Sequence, residues 1–300
     1  MQGITILGNN SALPAHERHP SAQVLTTSEH LLLFDCGEGT QMQLSRYKVR
    51  RSKINYIFIS HMHGDHYFGL PGLLNSMGLQ GRTQELHLFI PEKLKEILDL
   101  QFEAANAELP FKLNYHFLQE EGVIVDEKRF QVSCFRVRHR IECWGFLFKQ
   151  KKHPRKILPD KCHNYQIPSS FYERLQEGED YKNKDGTIVK NDWVTSEATA
   201  PKSYAYCGDT IYDEGLITKI KNVTLLFHEA TYLHEWEEKA ASRFHSTSKQ
   251  AAMIAKQANV KKLLIGHFSS KYETLDAFEK EAKEIFENSE LALEGVTYLL

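Results

Sequence analysis

Just after an apolar run, Ile57-Phe58-Ile59, the chain reads Ser60-His61-Met62-His63-Gly64-Asp65-His66. Three imidazoles and a carboxylate thus fall within six consecutive positions. Imidazole nitrogen and carboxylate oxygen are the donors that zinc and its neighbours take, and donors clustered in one short stretch close a chelate with little ordering of chain. Gly64 permits the tight backbone path that aims Asp65 and His66 away from His61 and His63. Donors pointing two ways suggest two ions, and a two-ion site is suited to water activation and in-line phosphoryl displacement. A chance cluster of surface histidines is the bland alternative, and the strand-then-glycine context disfavours it.

Such ligands need rigid supports. Short apolar, β-rich runs recur at Ile4–Leu7, Leu31–Phe34, Tyr56–Ile59, Leu86–Ile90, Phe130–Val137, Tyr204–Cys207, Leu225–Phe227 and Leu263–Ile265. Helical patterns lie between some of them: Glu92–Leu100 opened by Pro91, Lys249–Gln257 capped by Ser248, and Leu275–Phe286 capped by Thr274. Strands mixed with helices argue an α/β layered fold, and hairpin-like neighbours argue mixed sheets. His139, Asp209 and His267 each follow closely on one of these strands. Strand ends around one rim are where α/β sheets gather their ligands.

Composition narrows the class. The 300 residues are 41% apolar and 25% charged, an ordinary globular balance with enough chain to bury a core unaided. A formal net charge of -2 excludes a globally basic nucleic-acid binder, so any basic surface is local. Cys36, Cys134, Cys143, Cys162 and Cys207 are scattered and odd in number, which suits a reducing compartment. No signal-peptide pattern opens the chain and no apolar run spans a bilayer, so a soluble cytoplasmic protein without membrane partners is expected.

From about Gln150 to Lys202 the chain turns polar, punctuated by Pro154, Pro159 and Pro168. Between Lys149 and Lys161 it carries five lysines and one arginine against one aspartate. The expectation is one domain, 1–300, with an arm inserted at about 150–202; a solvated loop is the bland alternative. His16, His19, His30, His87, His116, His153, His163 and His234 lack ligand spacing and read as surface or core residues, and His228 as a packing residue.

The segment His61–His66 matches the His-x-His-x-Asp-His signature of metallo-β-lactamase fold hydrolases. Other stretches resemble the ribonuclease Z (tRNase Z) family. They are Leu33-Phe34-Asp35-Cys36-Gly37-Glu38-Gly39-Thr40-Gln41, Phe68-Gly69-Leu70-Pro71-Gly72-Leu73-Leu74 and Tyr206-Cys207-Gly208-Asp209-Thr210. With them go His228-Glu229-Ala230-Thr231-Tyr232, His245-Ser246-Thr247 and Gly266-His267-Phe268-Ser269-Ser270. The likeness runs from about Asp35 to Tyr272, and the His-Glu-Ala-Thr and His-Ser-Thr pair narrows the superfamily to this family.

The resemblance implies a metallo-β-lactamase-like αββα sandwich of two mixed sheets with outer helices and a protruding arm. It implies a zinc-dependent endoribonuclease, working as a homodimer, that removes the 3′ trailer of precursor tRNA and leaves a 3′-hydroxyl and a 5′-phosphomonoester. One Zn2+ would take His61, His63 and His139, the other Asp65, His66 and His267, with Asp209 between them. Asp65 would also orient the attacking water, and Glu229 with His245 would deliver a proton to the leaving oxygen. In the arm, Lys151, Lys152, Arg155 and Lys156 would grip RNA. Two departures stand out. The family's Gly-Pro arm motif is missing near Ile167-Pro168, and its Ser-Ser-Arg-Tyr is Ser269-Ser270-Lys271-Tyr272, which keeps the charge but loses the guanidinium fork.

Read without the resemblance, several positions stay open. Asp35 and Glu38 either tie down the turn at Gly37 and Gly39 or stand behind the metal ligands. His245 is either catalytic or a cap or core residue before the helix near Ser248. The same metals would also serve a small-molecule phosphodiesterase, arylsulfatase or lactonase. A non-catalytic RNA-binding or dimerising subunit is disfavoured, because every expected ligand type is present.

Overall fold

The structure, a computed structural model, describes residues 2–152, 154–198 and 200–300; His153 lies outside them. Strands apolar on both faces need cover on both faces, and two stacked sheets with helices outside provide it. The first sheet has seven strands in the order Thr297–Leu299, Gly3–Gly8, Ala22–Thr26, Leu31–Phe34, Ile54–Phe58, Leu86–Ile90 and Leu113–Phe117. Its first four strands pair antiparallel and the rest parallel, so the sheet is mixed. The second, also seven-stranded, runs Ser289–Leu291, Leu263–Gly266, Leu225–Glu229, Ser203–Cys207, Cys143–Gln150, Phe130–Val137 and Gly122–Asp126.

Alternation along the strands divides the apolar residues. Phe34 and Phe58 of the first sheet meet Phe146 and Tyr206 of the second in a stack with ring centroids 5.1–5.9 Å apart. Ile57 and Leu88 face the other way, onto Leu70, Leu73 and Leu74 of the helix Leu70–Leu79. Ala205, Leu226 and Ile265 likewise cover Ala251, Ala255 and Phe278 of the helices Ser248–Gln257 and Asp276–Ile285. This is the αββα order expected.

Some local expectations shift. The helix near Ser248 is capped by Thr247, whose hydroxyl accepts from Gln250 N–H while the Gln250 side chain reaches back. Ser248 is therefore its first residue and not its cap. Thr274 gives no cap either: the helix starts at Asp276 after Leu275, without a side-chain hydrogen bond. The runs Ala22–Thr26, Leu113–Phe117, Gly122–Asp126, Cys143–Gln150, Ser289–Leu291 and Thr297–Leu299 are strands that the sequence pattern did not single out.

The chain divides into two compact units, and the second comprises Asp126–Gln131 and Lys149–Lys202. It is more than a polar loop. Cys162, Ile167, Leu175, Val189 and Val194 form its own buried cluster, with Cys162, Leu175 and Val194 on the short helices Pro159–Asn164, Tyr172–Gln176 and Asn191–Val194 and Val189 on the strand Ile188–Val189. Buried Asn191 ties it together, donating to the Leu175 and Glu179 carbonyls at 2.8 Å each and accepting from the Thr195 hydroxyl at 2.7 Å. Apolar residues spaced 5–14 positions apart show no helical or strand period, which hid this core from a window-by-window reading.

Candidate active site

The strand Ile54–Phe58 delivers the first ligands. Beyond it His61 is buried, and the short helix Gly64–Tyr67 turns Asp65 and His66 in another direction. Space at position 64 is tight: a Cβ there would lie 2.2 Å from the ring of the exposed Phe68, which would have to swing away. The Gly64 backbone is not left-handed, so the constraint differs from conformational freedom.

Two groups of donors result. His61, His63, His139 and Asp209 form one; Asp65, His66 and His267 form the other. Three ring nitrogens crowd together in the first, His61 Nε2 at 2.9 Å and His139 Nε2 at 3.2 Å from His63 Nδ1. In the second, Asp65 Oδ2 lies 3.4 Å from His66 Nε2 and 3.3 Å from His267 Nε2. Asp209 stands between them. Its Oδ1 is 3.3 Å from His66 Nε2 and 3.1 Å from His267 Nε2, while its Oδ2 is 3.6 Å from His61 Nε2 and 3.8 Å from His139 Nε2.

The far nitrogens are held from behind, which fixes the tautomers. His66 Nδ1 meets Asp35 Oδ2 at 2.7 Å, and His139 Nδ1 meets the Phe244 carbonyl at 2.9 Å. The Ser60 hydroxyl donates to Asp35 at 2.9 Å, so it accepts from His61 Nδ1 at 2.9 Å. By the same logic Thr231 donates to Glu229 Oε2 at 2.7 Å and accepts from His267 Nδ1 at 3.0 Å. In these four rings Nδ1 meets the rear partner and Nε2 faces inward, as in metal-ligating histidines, whereas His63 turns Nδ1 inward and sets Nε2 against Arg140 Nε at 3.1 Å. Asp35, joined also by Tyr206 O–H at 2.6 Å, stands behind His66 and does not tie down the glycine turn.

The residues present fit metal ions. Buried His66 Nε2 and Asp209 Oδ1 have no hydrogen-bond partner, though polar atoms are seldom left so. Electrostatics agree. Burial works against a charged His66, yet Asp209, Asp65 and Asp35 outweigh it and raise its pKa well above the ordinary value. Burial and the neighbouring His66 hold His61 far below its own. The carboxylates thus draw positive charge to the space between the clusters, and divalent cations supply more of it than one proton does.

A further pair stands beside the clusters. His245 Nδ1 contacts buried Glu229 Oε1 at 2.8 Å. Burial disfavours the imidazolium, but the Glu229 charge and hydrogen bond prevail, raising His245 to about 9. His245 opens on a cavity of about 550 Å³ that Asp65, Asp209 and His267 also line. His245 is not a cap or core residue. Buried His228 instead packs, its Nδ1 on the Glu229 carbonyl at 2.7 Å.

Every residue singled out in the sequence as a candidate ligand or acid outside the arm thus lies in one site, including the lone His139. The arm cations differ. Lys151 pairs with Asp126 at 2.5 Å, and Arg155 binds Thr195 Oγ1 at 2.7 Å and Asp192. Lys152 and Lys156 are exposed. Sequence reasoning missed Arg140, Lys239 and Arg243, which also border the cavity. Lys239 and Arg243 share the helix Glu237–Ser242 and its cap, whereas Arg140 comes from far along the chain, so they form no motif and the fold collects them.

Comparison with known proteins agrees with this geometry. Residues 2–164 match a family model described as anti-Pycsar protein Apyc1. The chain is 39% identical over 293 residues to a ribonuclease Z of Bacteroides fragilis, covering 97% of this chain and 96% of that protein. It is 42% identical over 302 residues to a ribonuclease Z of Cytophaga hutchinsonii, covering 98% and 94%. The crystal structure of the short form of human tRNase Z superposes with a TM-score of 0.71 at 26% identity, covering 99% of this chain and 98% of that one.

Proposed function

Given that the chain belongs to the ribonuclease Z family, and through residues 2–164 to that described as anti-Pycsar protein Apyc1, we propose that it is a tRNA 3′-processing endoribonuclease. The observation that carries this reading is Asp209, with its two oxygens turned to two imidazole clusters beside a carboxylate-backed histidine. His61, His63 and His139 would hold one ion, Asp65, His66 and His267 another, with Asp209 shared. The nitrogen and oxygen donor set suits zinc. Bound there, two such ions supply the Lewis acidity that activates water and offsets charge on a phosphodiester.

The protein's own groups do the rest. Asp65 is held well below the usual carboxylate range: burial opposes this, but His66 and His267 prevail, and it remains an acceptor able to orient water. Ala12 N–H fixes one of its oxygens at 2.8 Å. His245 gives its proton to the departing 3′-oxygen, which is a poor leaving group without one, and Glu229 steadies the imidazolium. The arm contributes exposed Lys152 and Lys156 to RNA phosphates, with the enzyme acting as a homodimer. Free buried cysteines suit the cytoplasm. No helix among the described residues is long and apolar enough to cross a membrane.

The test is to incubate zinc-loaded protein with a precursor tRNA and map both new ends. Cleavage after the acceptor stem with a 3′-hydroxyl on the tRNA upholds the reading. Turnover of small phosphodiesters with no cut in the precursor overturns it. That result would favour a small-molecule phosphodiesterase.

A further inference from the structure

Four cations gather at the cavity: Arg140, Lys239 and Arg243 line it, and Lys271 directly follows the lining residues Ser269 and Ser270. Among the described residues none of the four forms an ion pair with a carboxylate, whereas Lys219, Lys249, Lys262 and Lys283 all do. Two of the four rest on rings instead. Lys271 Nζ lies 3.4 Å from the centroid of Trp236 and 4.8 Å from that of Tyr272. Lys239 Nζ lies 5.2 Å from Trp236 and 5.6 Å from Tyr232, itself a lining residue.

Trp236 stands outside the cores of the two sheets and is 39% exposed. Its edge is nevertheless pinned, because Nε1–H donates to Glu235 Oε1 at 2.8 Å. An oriented, partly exposed indole flanked by two ammonium groups that no carboxylate among the described residues ion-pairs has the composition of a single-strand nucleic-acid platform. Ammonium over an exposed ring is also a weak resting place, and a phosphate oxygen offers a stronger charge-assisted hydrogen bond.

We propose that Trp236, Lys239 and Lys271 form a nucleotide subsite beside the scissile phosphate. The two ammonium groups leave the indole for a neighbouring phosphate, and the freed ring stacks an unpaired base of the substrate strand. The subsite rests on the RNA-cleaving reading above and deepens it. Stacking accepts any base, so it selects a single-stranded nucleotide over a paired one, not a sequence.

The experiment walks a single abasic residue through the nucleotides on either side of the cut. In the wild type one such position lowers kcat/KM by about tenfold or more, the scale of one lost base stack. Trp236→Ala shows a similar loss on the intact substrate and no further loss on that abasic one, while Trp236→Phe, which keeps a ring, restores most of the efficiency. Losses that multiply, or a Trp236→Ala enzyme as efficient as the wild type, overturn the subsite. Quenching of indole emission by a short single-stranded oligoribonucleotide is read alongside, with Trp236→Phe as the subtraction control for the other tryptophans. Should the wild type cut no precursor tRNA, the RNA-cleaving reading fails, and this quenching decides the subsite: quenching lost in Trp236→Phe upholds it, and unchanged quenching overturns it.

Discussion

The ligand rim and the arm both announce themselves in the sequence through polar residues, yet they treat those residues in opposite ways. At the rim His61, His66, Asp209 and Glu229 are buried, with atoms such as His66 Nε2 left without a partner. In the arm Lys151, Arg155, Arg174 and Lys190 are answered by Asp126, Asp192, Glu179 and Asp180 at the surface. Burying a polar group without satisfying it is costly, so its presence points to a ligand. A surface cation with an acid beside it costs little and gains little, and points to nothing in particular.

The sharpest way to break this contrast is Asp209→Ala. Losing the carboxylate shared by the clusters should abolish two-ion occupancy and lower turnover on the order of 10⁴-fold or more, the scale of losing a unit of catalytic machinery. Elemental analysis finding two ions in the variant would remove the bridge from the site. Next comes His245→Ala. It should keep both ions but cleave about 10²–10⁴-fold more slowly, as loss of a general acid does. Loss of an ion instead would make His245 a ligand, a role its nearness to Asp209 and His267 allows on distance alone.

The same residue gives a pH test. By NMR of the metal-free protein His245 should titrate at about 9, and Glu229→Gln should lower it, because burial is then opposed only by the more distant charges of Asp209 and Asp65. The sign follows from a folded pKa raised above the unfolded one. The pair's stabilisation is complete below about 6.5, and is lost as pH rises through about 9. A value that Glu229→Gln leaves unmoved would mean another group holds the proton.

Smaller effects separate support from chemistry. Asp35→Asn should weaken metal affinity about 10–100-fold, as removal of a histidine's rear partner does, with little change in rate once ions are saturating. Smallest are the arm changes. Lys152→Ala and Lys156→Ala should each flatten the salt dependence of precursor binding by roughly one released counterion. Arg155→Ala, whose guanidinium is occupied by Thr195 and Asp192, should leave that slope alone and cost about 1 kcal/mol of stability in the arm. An equal salt effect from Arg155→Ala would return it to the RNA-binding set.

What was legible follows the same division. His61–His66 could be read because strand, glycine and ligands are contiguous; Asp209 and His267 because each ends a short apolar strand. His139 could not be secured from its neighbours, since the Phe244 carbonyl that fixes its ring comes from far along the chain. The supports Ser60 and Thr231 were invisible as such, because a hydroxyl's role depends on what the fold sets opposite it. The arm core was missed for want of periodicity, and Ala22–Thr26 and Cys143–Gln150 because strands of mixed or continuous apolar character carry no alternation signal.

One feature of the second sheet reaches beyond this molecule. Its parallel strands are in register at the rim, with Cys207 opposite His228 and Glu229 opposite Gly266, so Asp209 and His267 emerge at one level and Thr231 one residue beyond it. Adding a single residue just past any of these strands would displace a ligand or its support by about 3.3 Å, more than a coordination bond tolerates. Connections at the opposite strand ends, near Asn222 and Lys261, carry no such restriction. Among the descendants of this gene, insertions and deletions should therefore collect on one side of the sheet, leaving the lengths of the rim loops unchanged while their other residues drift.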